Sequence, residues 1–562
     1  MLPPSSSTAA VAVHCSSAPA GDALPVARAG PAAAIESAAV PERARRERRL
    51  LVALMSVIAA GCLISAAAVA LSLALGESWK EALRSTSLLQ VHRLRLQGGM
   101  DSWGPMWAGL ARQRAAAGAG AGARLGASSP YEQALRLDRC KFQYPPSSWL
   151  LLEMLPEPAG APLSCVDGGT PGADIHSAAW PAKPWLALAS AFACLGLVAV
   201  SMAVLRRTLA SVATAPPGAS PAADGASPTE GHLGRLSWTA RAPLWIGAAL
   251  AGLCFYPLIK GHTLGQLQVF INLALGAALL LWPRRPRVSG VLVGLCCLFK
   301  PQYLLFLGWG LLRRRWSFAA ALATVAVAGH GLALARYGLE VHLHYLQLLQ
   351  GLAQVGEVFW ANQSANGVLN RLLQTGDAVA WAPAAFPAYH PLVRWGTFAS
   401  SLALLLAAIW PRRAATSAAE VDRPLSVASV DSRDARGARN SPHSSVDALD
   451  FAAMLAAVTI ASPIAWEHHY GSFLPIFALL AGVLATQPRW PAASALVLGA
   501  SFVAMSHAVL RPEWIFVGPL AGIAGSHLWL GALALFGLLL AWRARPASTP
   551  AAAAAAAAGG PA

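Results

Sequence analysis

Long stretches without a charged side chain constrain this sequence more than any other feature. Residues Leu50 to Leu75 and Trp185 to Leu205 contain no Asp, Glu, Lys, Arg or His. Each stretch is long enough to cross the ~30 Å hydrocarbon core of a bilayer as an α-helix. Of the 562 residues, 56% are apolar and only 12% are charged, which is far from the usual balance of a soluble protein. The sequence therefore predicts a helical protein of the lipid bilayer.

A formal net charge of +16 is compatible with a nucleic-acid partner, but the positions of the arginines favour another reading. They stand in short clusters at the ends of the apolar segments, and the positive-inside rule places such clusters in the cytoplasm. We therefore interpret them as topology markers and expect no nucleic-acid binding. The clusters are Arg43 to Arg49, Arg206-Arg207, Arg284 to Arg287, Arg313 to Arg315, Arg412-Arg413 and Arg543 to Arg545.

The clusters predict an all-α polytopic membrane protein with about ten transmembrane helices and both termini in the cytoplasm. Because 49 residues precede the first apolar segment, we expect that segment to be retained as an anchor in the plasma (inner) membrane. Residues 50–545 form the predicted transmembrane domain, with residues 77–184 as its first outer loop. The segments predicted to be disordered or of low complexity are the tail 1–49, the cytoplasmic loops 206–241 and 412–448, and the tail 546–562.

One apolar segment, Val288 to Leu312, has arginines at both ends and Lys300-Pro301 in its middle. Each half has about 12 residues, roughly 18 Å of helix, which is about half a bilayer. As one kinked span, the segment places its two flanking clusters on opposite faces of the membrane. As a re-entrant hairpin it keeps both in the cytoplasm. We favour the hairpin, because only then do all later clusters fall on the expected side.

Five polar segments fall on the outer side in this topology. Polar residues at the edge of a membrane are energetically costly and mark candidate functional sites. Their convergence on one face predicts an active site there. The segments are GGMDSWGPMW, FQYPPSSW, GHTLGQLQ, FWANQSANGVLNR and SPIAWEHHYGSF.

Three outer segments supply candidates for chemistry on a hydroxyl group. Asp101 is followed by tryptophans, and a carboxylate held against apolar rings can serve as a general base. Although a lone loop aspartate is more often simply solvated, this setting makes Asp101 the candidate base. Tyr144, next to two prolines, and Gln266, in GHTLGQLQ, are candidates for substrate contacts.

Cationic and carboxamide side chains are candidates for binding the rest of a substrate. Lys300 either snorkels toward water or holds a phosphate, with Arg371 as a second candidate cation. Carboxamides beside a tryptophan suit sugar hydroxyls, which need both donors and acceptors. These further candidates are Trp360, Asn362, Gln363 and Asn366.

The segment SPIAWEHHYGSF adds Trp466, Glu467 and the adjacent histidines His468 and His469. Adjacent side chains on a helix diverge by about 100°, so the two histidines do not readily bind one metal ion. We expect one histidine to contact a phosphate or a sugar while the other packs against it or orients it. No metal and no cofactor is predicted.

Of the eight cysteines, only Cys140 and Cys165 share the first outer loop. In an oxidising compartment they form either a disulfide that closes a loop of about 25 residues or two unpaired thiols.

Taken in order, GGMDSW, YPP, GHTLGQ, the segment ending in FKPQYLLFLGWGLLRRRW, NQSANGVLNRLL and SPIAWEHHY resemble glycosyltransferase family 87 from about residue 90 to 485. The resemblance implies a GT-C fold that transfers a sugar from a polyprenyl phosphate donor to a glycolipid or polysaccharide at the outer face. The sugar is typically mannose, a hexose, and in some members the pentose arabinofuranose. By position, Asp101 is similar to the family's catalytic carboxylate, and His468 and His469 are similar to its histidine pair.

The chain departs from the family pattern at Gln268, where an asparagine is common, and at Trp103 and Trp107, where the family is rich in tyrosine. These departures leave the sugar open. A transporter or flippase of lipid-linked sugars is the alternative, but it would favour charged residues deep in several spans and a repeated half-structure. A non-catalytic assembly factor, unaffected by loss of Asp101, is a third hypothesis.

Overall fold

A computed structural model describes residues 31–74, 76, 100–118, 129–136, 141, 143–157, 180–210, 238–379, 381–382, 385–410, 443–487, 491–506 and 519–545. The chain divides into two compact units, Met1–Arg46 and Glu47–Ala562, and every candidate site residue belongs to the second. The described residues form α-helices and 3-10 helices and no strand. The predicted all-α class is therefore confirmed.

The α-helices before the predicted hairpin are α1 Pro31–Ala74, α2 Trp103–Gly118, α3 Pro130–Arg136, α4 Trp149–Leu152, α5 Lys183–Ala210, α6 Trp238–Leu253, α7 Tyr256–Thr263 and α8 Gln268–Leu281. From the hairpin onward they are α9 Pro286–Cys297, α10 Leu305–Leu312, α11 Trp316–Tyr337, α12 Leu339–Val355, α13 Ala365–Leu372, α14 Pro391–Ile409, α15 His443–Ile460, α16 Leu474–Ala485, α17 Ala492–Ser506, α18 Pro519–Ala524 and α19 His527–Arg543. The 3-10 helices are Pro146–Ser148, Pro301–Leu304 and Glu467–Phe473.

Five described helical segments are long and apolar enough to cross a membrane. A sixth span arises if α6 and α7, which meet at a 48° bend, are counted together. Four further apolar helices, α8, α9, α17 and α19, have 10–17 residues and are shorter than a full span. The predicted count of ten full-length spans is therefore not confirmed. The five segments are Glu47–Leu71, Lys183–Ala210, Trp316–Tyr337, Pro391–Ile409 and Glu467–Ala485.

Helices α9 and α11 run parallel to each other at very close range. Gly290 of α9 lies against the backbone oxygen of Phe318, near the start of α11. One turn later, a Cβ placed on Gly294 would lie only 2.9 Å from the Cβ of Val325. Because glycine has no side chain, the two backbones approach more closely than other residues allow.

Between these parallel helices, α10 returns the chain to the end from which α9 started. The ring of Trp309 in α10 lies 5.2 Å from the ring of Trp282, which directly follows α8. The guanidinium of Arg315 lies 5.6 Å from the same Trp282 ring. The chain thus reverses at Lys300-Pro301 and brings its two arginine clusters together, as the hairpin interpretation requires. The position of this hairpin in the membrane stays a prediction.

A charged network fastens the arginine end of the hairpin to three other helices. Asp450 of α15 accepts hydrogen bonds from Arg313 (2.7 Å to Nε) and from Arg543 of α19 (3.1 Å). Both arginines also donate to the carbonyl oxygens of residues at the end of α14, including Ala408 (2.6 Å from Arg543). The Asp450 side chain is only 3% exposed, so the network satisfies charges that are almost fully removed from solvent.

Helices α15 and α16 form the centre of the structure. Every residue from Phe451 to Ile460 is buried, and so is most of α16. A helix that is apolar on all sides is stable where other helices surround it. The Glu467–Phe473 3-10 helix connects these two central helices, so its side chains are held by the core.

Helices α2, α3 and α4, all within the predicted first outer loop, build a second core on the far end of α11. Trp149 is fully buried and packs edge to face on Tyr337 at a ring distance of 5.2 Å. This packing fixes the segment that carries Asp101 and Tyr144.

Helices also extend into the segments that were expected to be disordered. Helix α1 begins at Pro31, α5 ends at Ala210, α6 begins at Trp238, and α15 begins at His443. The rest of those segments lies outside the described residues, as do Cys140 and Cys165, so the question of their bridge stays open.

Candidate active site

Asp101 belongs to a series of hydrogen bonds that links the predicted first outer loop to the α7–α8 turn. The Tyr144 hydroxyl lies 2.6 Å from Ser102 Oγ, and Ser102 donates to Gln266 Oε1 at 2.7 Å. The Gln266 amide nitrogen in turn donates to Asp101 Oδ2 at 3.5 Å. Asp101 itself is exposed, whereas Ser102 is fully buried. The structure therefore brings three predicted residues, Asp101, Tyr144 and Gln266, together around a serine.

Backbone contacts and burial determine which atom donates in each of these hydrogen bonds. The amide of Leu267 donates to Ser102 Oγ at 3.0 Å, and the amide of Asp101 donates to the carbonyl of Leu264 at 3.0 Å. Burial raises the pKa of Tyr144 to about 12, so its hydroxyl keeps its proton at neutral pH. Because Ser102 donates to its oxygen, Gln266 presents its N–H to the Asp101 carboxylate and orients that carboxylate.

The Glu467–Phe473 3-10 helix presents Glu467, His468 and His469 from within the core. Glu467 is 1% exposed and accepts a hydrogen bond from the hydroxyl of Tyr256 at 2.8 Å. The two imidazole rings are perpendicular, with centroids 4.9 Å apart. Both histidines are also buried. They are thus neighbours that point in different directions.

Lys300 contacts His469 across the centre of the molecule. Its ammonium lies in hydrogen-bonding contact with His469 Nε2, although 169 residues separate the two in sequence. The other ring nitrogen of His469, Nδ1, is buried and has no hydrogen-bond partner among the described residues. A charged lysine can only donate, so Nε2 accepts, and the ring proton is then on Nδ1. When Lys300 is charged, this buried Nδ1–H has no acceptor among the described residues.

The α7–α8 turn links the Asp101 segment to the histidine segment. While Gln266 contacts Asp101, Asn272 of α8 donates to the carbonyl oxygen of His468 at 3.0 Å. Gly471 lies directly against the Asn272 amide, where any Cβ would overlap it. Since Gln266 and Asn272 are six residues apart, roughly 9 Å along a helix, the two halves of the site share one short element.

The predicted sugar-binding carboxamides are directed into the protein. Asn362, Gln363 and Asn366 are fully buried. Asn362 donates to the carbonyl of Glu357 (2.8 Å) and accepts from the amide of Ala465 (3.0 Å). Gln363 donates to the carbonyl of Gly525 (2.6 Å), and Asn366 accepts from the amide of Glu357 (3.1 Å). In this arrangement their polar groups hold loops together.

Arg371 has a similar setting. Its guanidinium donates to Ser526 Oγ at 2.7 Å and to backbone carbonyls that include that of Asn362 at 3.1 Å. Burial lowers its pKa to about 10, so it remains charged at neutral pH. Because its donors bind protein acceptors, Arg371 stabilises the loop that also carries Asn362.

Two predicted tryptophans, Trp360 and Trp466, are only half-buried. Trp466 immediately precedes Glu467 and forms an isolated β-bridge with Asn362. It therefore joins the loop of the carboxamides to the histidine segment.

Sequence reasoning missed several residues of this region. Ser102 gave no signal, because a serine next to an aspartate is common. Lys260 of α7 is half-buried, and its charge acts on both Glu467 and His468. Its position in the polar segment KGHTLGQ is a signal that could have identified Lys260 as a candidate site residue. Lys141 and Glu357 form a buried ion pair (2.6 Å) whose members are 216 residues apart, a separation that hides the pair from the sequence.

Among the described residues, no group of three or more histidine, cysteine, aspartate or glutamate side chains is placed to hold a metal ion.

The fold and the site define a helical membrane protein with a carboxylate and a cation–imidazole pair joined by one short turn. The sequence model of glycosyltransferase family 87 matches residues 142–430, which is more than half of the chain, and the protein belongs to this family. Its general activity is therefore sugar transfer. The matched range contains Tyr144, Gln266 and Lys300, whereas Asp101 and the histidine pair lie outside it. No curated protein and no solved structure matches the chain.

Proposed function

We propose that the protein transfers a mannose-like hexose or a pentose from a polyprenyl phosphate sugar donor to a glycolipid or polysaccharide acceptor at the outer face of the plasma membrane. The observation that carries this proposal is the contact between Lys300 and His469, whose other ring nitrogen, Nδ1, is buried and has no hydrogen-bond partner among the described residues. A phosphate oxygen is an acceptor that suits both groups, because hydrogen bonds from charged donors to phosphate are strong.

In this mechanism Asp101 is the general base. An acceptor hydroxyl must lose a proton as it attacks the anomeric carbon, and an exposed carboxylate can accept that proton. Gln266 keeps the carboxylate oriented through its N–H. Ser102 and Tyr144 hold Gln266 in place, since Ser102 occupies the glutamine oxygen.

Lys300 and His469 stabilise the departing polyprenyl phosphate. This group leaves as an anion, so it needs hydrogen-bond donors and positive charge more than it needs a general acid. Lys260 adds a second positive charge that acts on His468. His468 packs perpendicular to His469 and is itself anchored through its carbonyl to Asn272, which restrains the rotation of the pair.

The GT-C fold, the cytoplasmic termini and the outer location of the site are parts of the same proposal. The parallel packing of α9 and α11 supports them, because it puts Lys300 at the tip of a hairpin whose arginine ends lie together. A transporter of lipid-linked sugars has no comparable support, since family membership indicates transfer chemistry.

The test uses membranes that contain the full chain and labelled donors. We expect label to pass from polyprenyl phosphate mannose or polyprenyl phosphate arabinose to lipid or glycan. Nucleotide sugars should give no transfer when synthesis of the polyprenyl phosphate sugars is blocked. Transfer from a nucleotide sugar under that block would contradict the donor assignment.

A further inference from the structure

A row of aromatic side chains extends from the histidine segment into the loops after α12. Trp466 contacts Trp381 edge to face at a ring distance of 5.5 Å, and Trp381 contacts Phe359 at 5.4 Å. Trp360 follows at 5.7 Å from Phe359. All four residues are half-buried, so each retains some exposed surface. We call Phe359, Trp360, Trp381 and Trp466 the aromatic platform.

A buried ion pair supports the centre of this platform. Lys141 donates to Glu357 Oε2 at 2.6 Å, and the two side chains are only 3% and 4% exposed. The Lys141 ammonium also lies 4.3 Å from the ring centroid of Trp381 and 4.7 Å from that of Phe386. Burial lowers the pKa of Lys141, and the charge of Glu357 opposes that change. The buried ammonium therefore holds the Trp381 indole in place through a cation–π contact.

The platform connects the two halves of the candidate site. At one end, the backbone oxygen of Trp466 accepts a hydrogen bond from the amide of His469 at 2.8 Å. Near its centre, the supporting residue Lys141 is three residues before Tyr144 in sequence, and the Tyr144 hydroxyl belongs to the hydrogen-bond series of Asp101. A group bound near Trp466 therefore lies beside the histidine segment, and the residue that supports Trp381 belongs to the same segment as Tyr144.

The neighbouring polar side chains bind protein groups, so the aromatic rings are the groups that remain to recognise a sugar. Asn362 and Gln363 direct their amides to protein partners, so the surface that this loop presents is mainly aromatic. The face of a sugar ring that carries C–H groups is apolar and slightly positive, and it complements the negative face of an aromatic ring. Indole is well suited to this role because it offers a large rigid surface.

We propose that the aromatic platform is the acceptor subsite, with one pyranose or furanose ring of the acceptor stacked on Trp381. The assignment rests on the proposed function, because it identifies the second substrate of the same site. It also explains how an acceptor hydroxyl is brought to Asp101 when the nearby carboxamides are occupied.

The test measures sugar binding without transfer, so it can fail independently of the donor assignment. The full chain in nanodiscs is mixed with methyl α-mannopyranoside, methyl α-arabinofuranoside or their octyl glycosides, and saturation-transfer NMR records contact with the sugar C–H protons. We expect contact with at least one of the two sugars and about a tenfold weaker affinity in Trp381→Ala, the size of change that loss of one stacking contact gives. Trp185→Ala, which removes an exposed tryptophan of α5, is the matched control and should bind as wild type.

A second measurement keeps the wild-type fold. In protein labelled with 5-fluorotryptophan, the resonance that disappears in Trp381→Phe should shift when the bound sugar is added. Contact with both the methyl and octyl forms indicates a glycan acceptor, and contact with sugar protons of the octyl form alone indicates a glycolipid. The proposal is overturned if no probe contacts the wild-type protein, if Trp381→Ala binds equally well, or if only alkyl protons receive saturation.

Discussion

Lys300 and His469 meet in hydrogen-bonding contact, one from the tip of a helical hairpin and the other from the 3-10 helix between the two central helices. The hairpin is fixed by glycine contacts between α9 and α11, and the 3-10 helix is fixed by Asn272. Two rigid elements thus hold the pair that we assign to the donor phosphate.

Replacement of Lys300 by methionine should weaken donor binding. The change keeps an unbranched side chain of nearly the same length but removes a charged donor. The loss of such a hydrogen bond lowers affinity by roughly 10-fold to 100-fold. Binding of a labelled polyprenyl phosphate to purified protein measures the effect. Lys183→Met, at the start of α5, is the control and should bind normally. Equal donor affinity in Lys300→Met and wild type would exclude Lys300 from the phosphate site.

The two histidines should respond differently to substitution. His469 contacts Lys300 through its ring, whereas His468 contacts Asn272 through its backbone carbonyl. His469→Gln should therefore reduce kcat/KM about tenfold more than His468→Gln, as expected for a direct charge-assisted contact. Steady-state kinetics with the labelled donor provide the comparison. The reverse order would show that His468 is the phosphate ligand.

Gln266→Ala should lower kcat while donor affinity stays near the wild-type value. The amide orients Asp101, so its loss should cost about tenfold in rate and should change the pH at which the rate reaches half its maximum. Gln113→Ala removes an amide that donates to the carbonyl of Tyr337 at 3.3 Å in the same outer region, and it serves as the control. An unchanged pH profile in Gln266→Ala would indicate a purely structural role.

The sequence predicts where a candidate site lies, whereas the contacts of its residues are visible only in the structure. Polar segments between apolar ones marked Asp101, Gln266, Lys300 and His469 as candidates, because polar groups are rare at that depth. Sequence cannot distinguish a carboxamide that faces a ligand from one that holds a loop, and Asn362 proved to be fully buried. The number of spans was also hard to predict, because short helices such as α8 are apolar without being long enough to cross.

The charged network at the hairpin base should contribute strongly to stability. Asp450→Asn leaves Arg313 and Arg543 without their shared carboxylate, and the loss of one partner of a buried pair costs about 3 kcal/mol or more. Asp447→Asn removes the partner of Arg315 in a more exposed pair and should cost less than about 1 kcal/mol. Thermal unfolding in the same detergent compares the stability of the two variants. Similar Tm values for both would show that Asp450 does not stabilise the packing of these helices.

The proposed topology predicts which surface positions face outward. Single cysteines at Met154 and Tyr389, which are 82% and 51% exposed, should react with an impermeant thiol reagent added outside cells, in a background without the native cysteines. A cysteine at Arg545 should react only after the membrane is permeabilised. Labelling of the Tyr389 position from the cytoplasm alone would show that the segment around Lys300 crosses the membrane.

The central claim is that Asp101 removes the proton from the acceptor hydroxyl, and Asp101→Asn tests it most directly. Asparagine keeps the size of the carboxylate but cannot accept the proton, so transfer should fall by roughly 10²-fold or more. Donor binding and Tm should stay near wild type, since Asp101 is exposed. The measurement is single-turnover transfer from a labelled polyprenyl phosphate sugar. A folded Asp101→Asn protein that transfers at the wild-type rate would contradict the account, and Glu467 would then be the next carboxylate to examine.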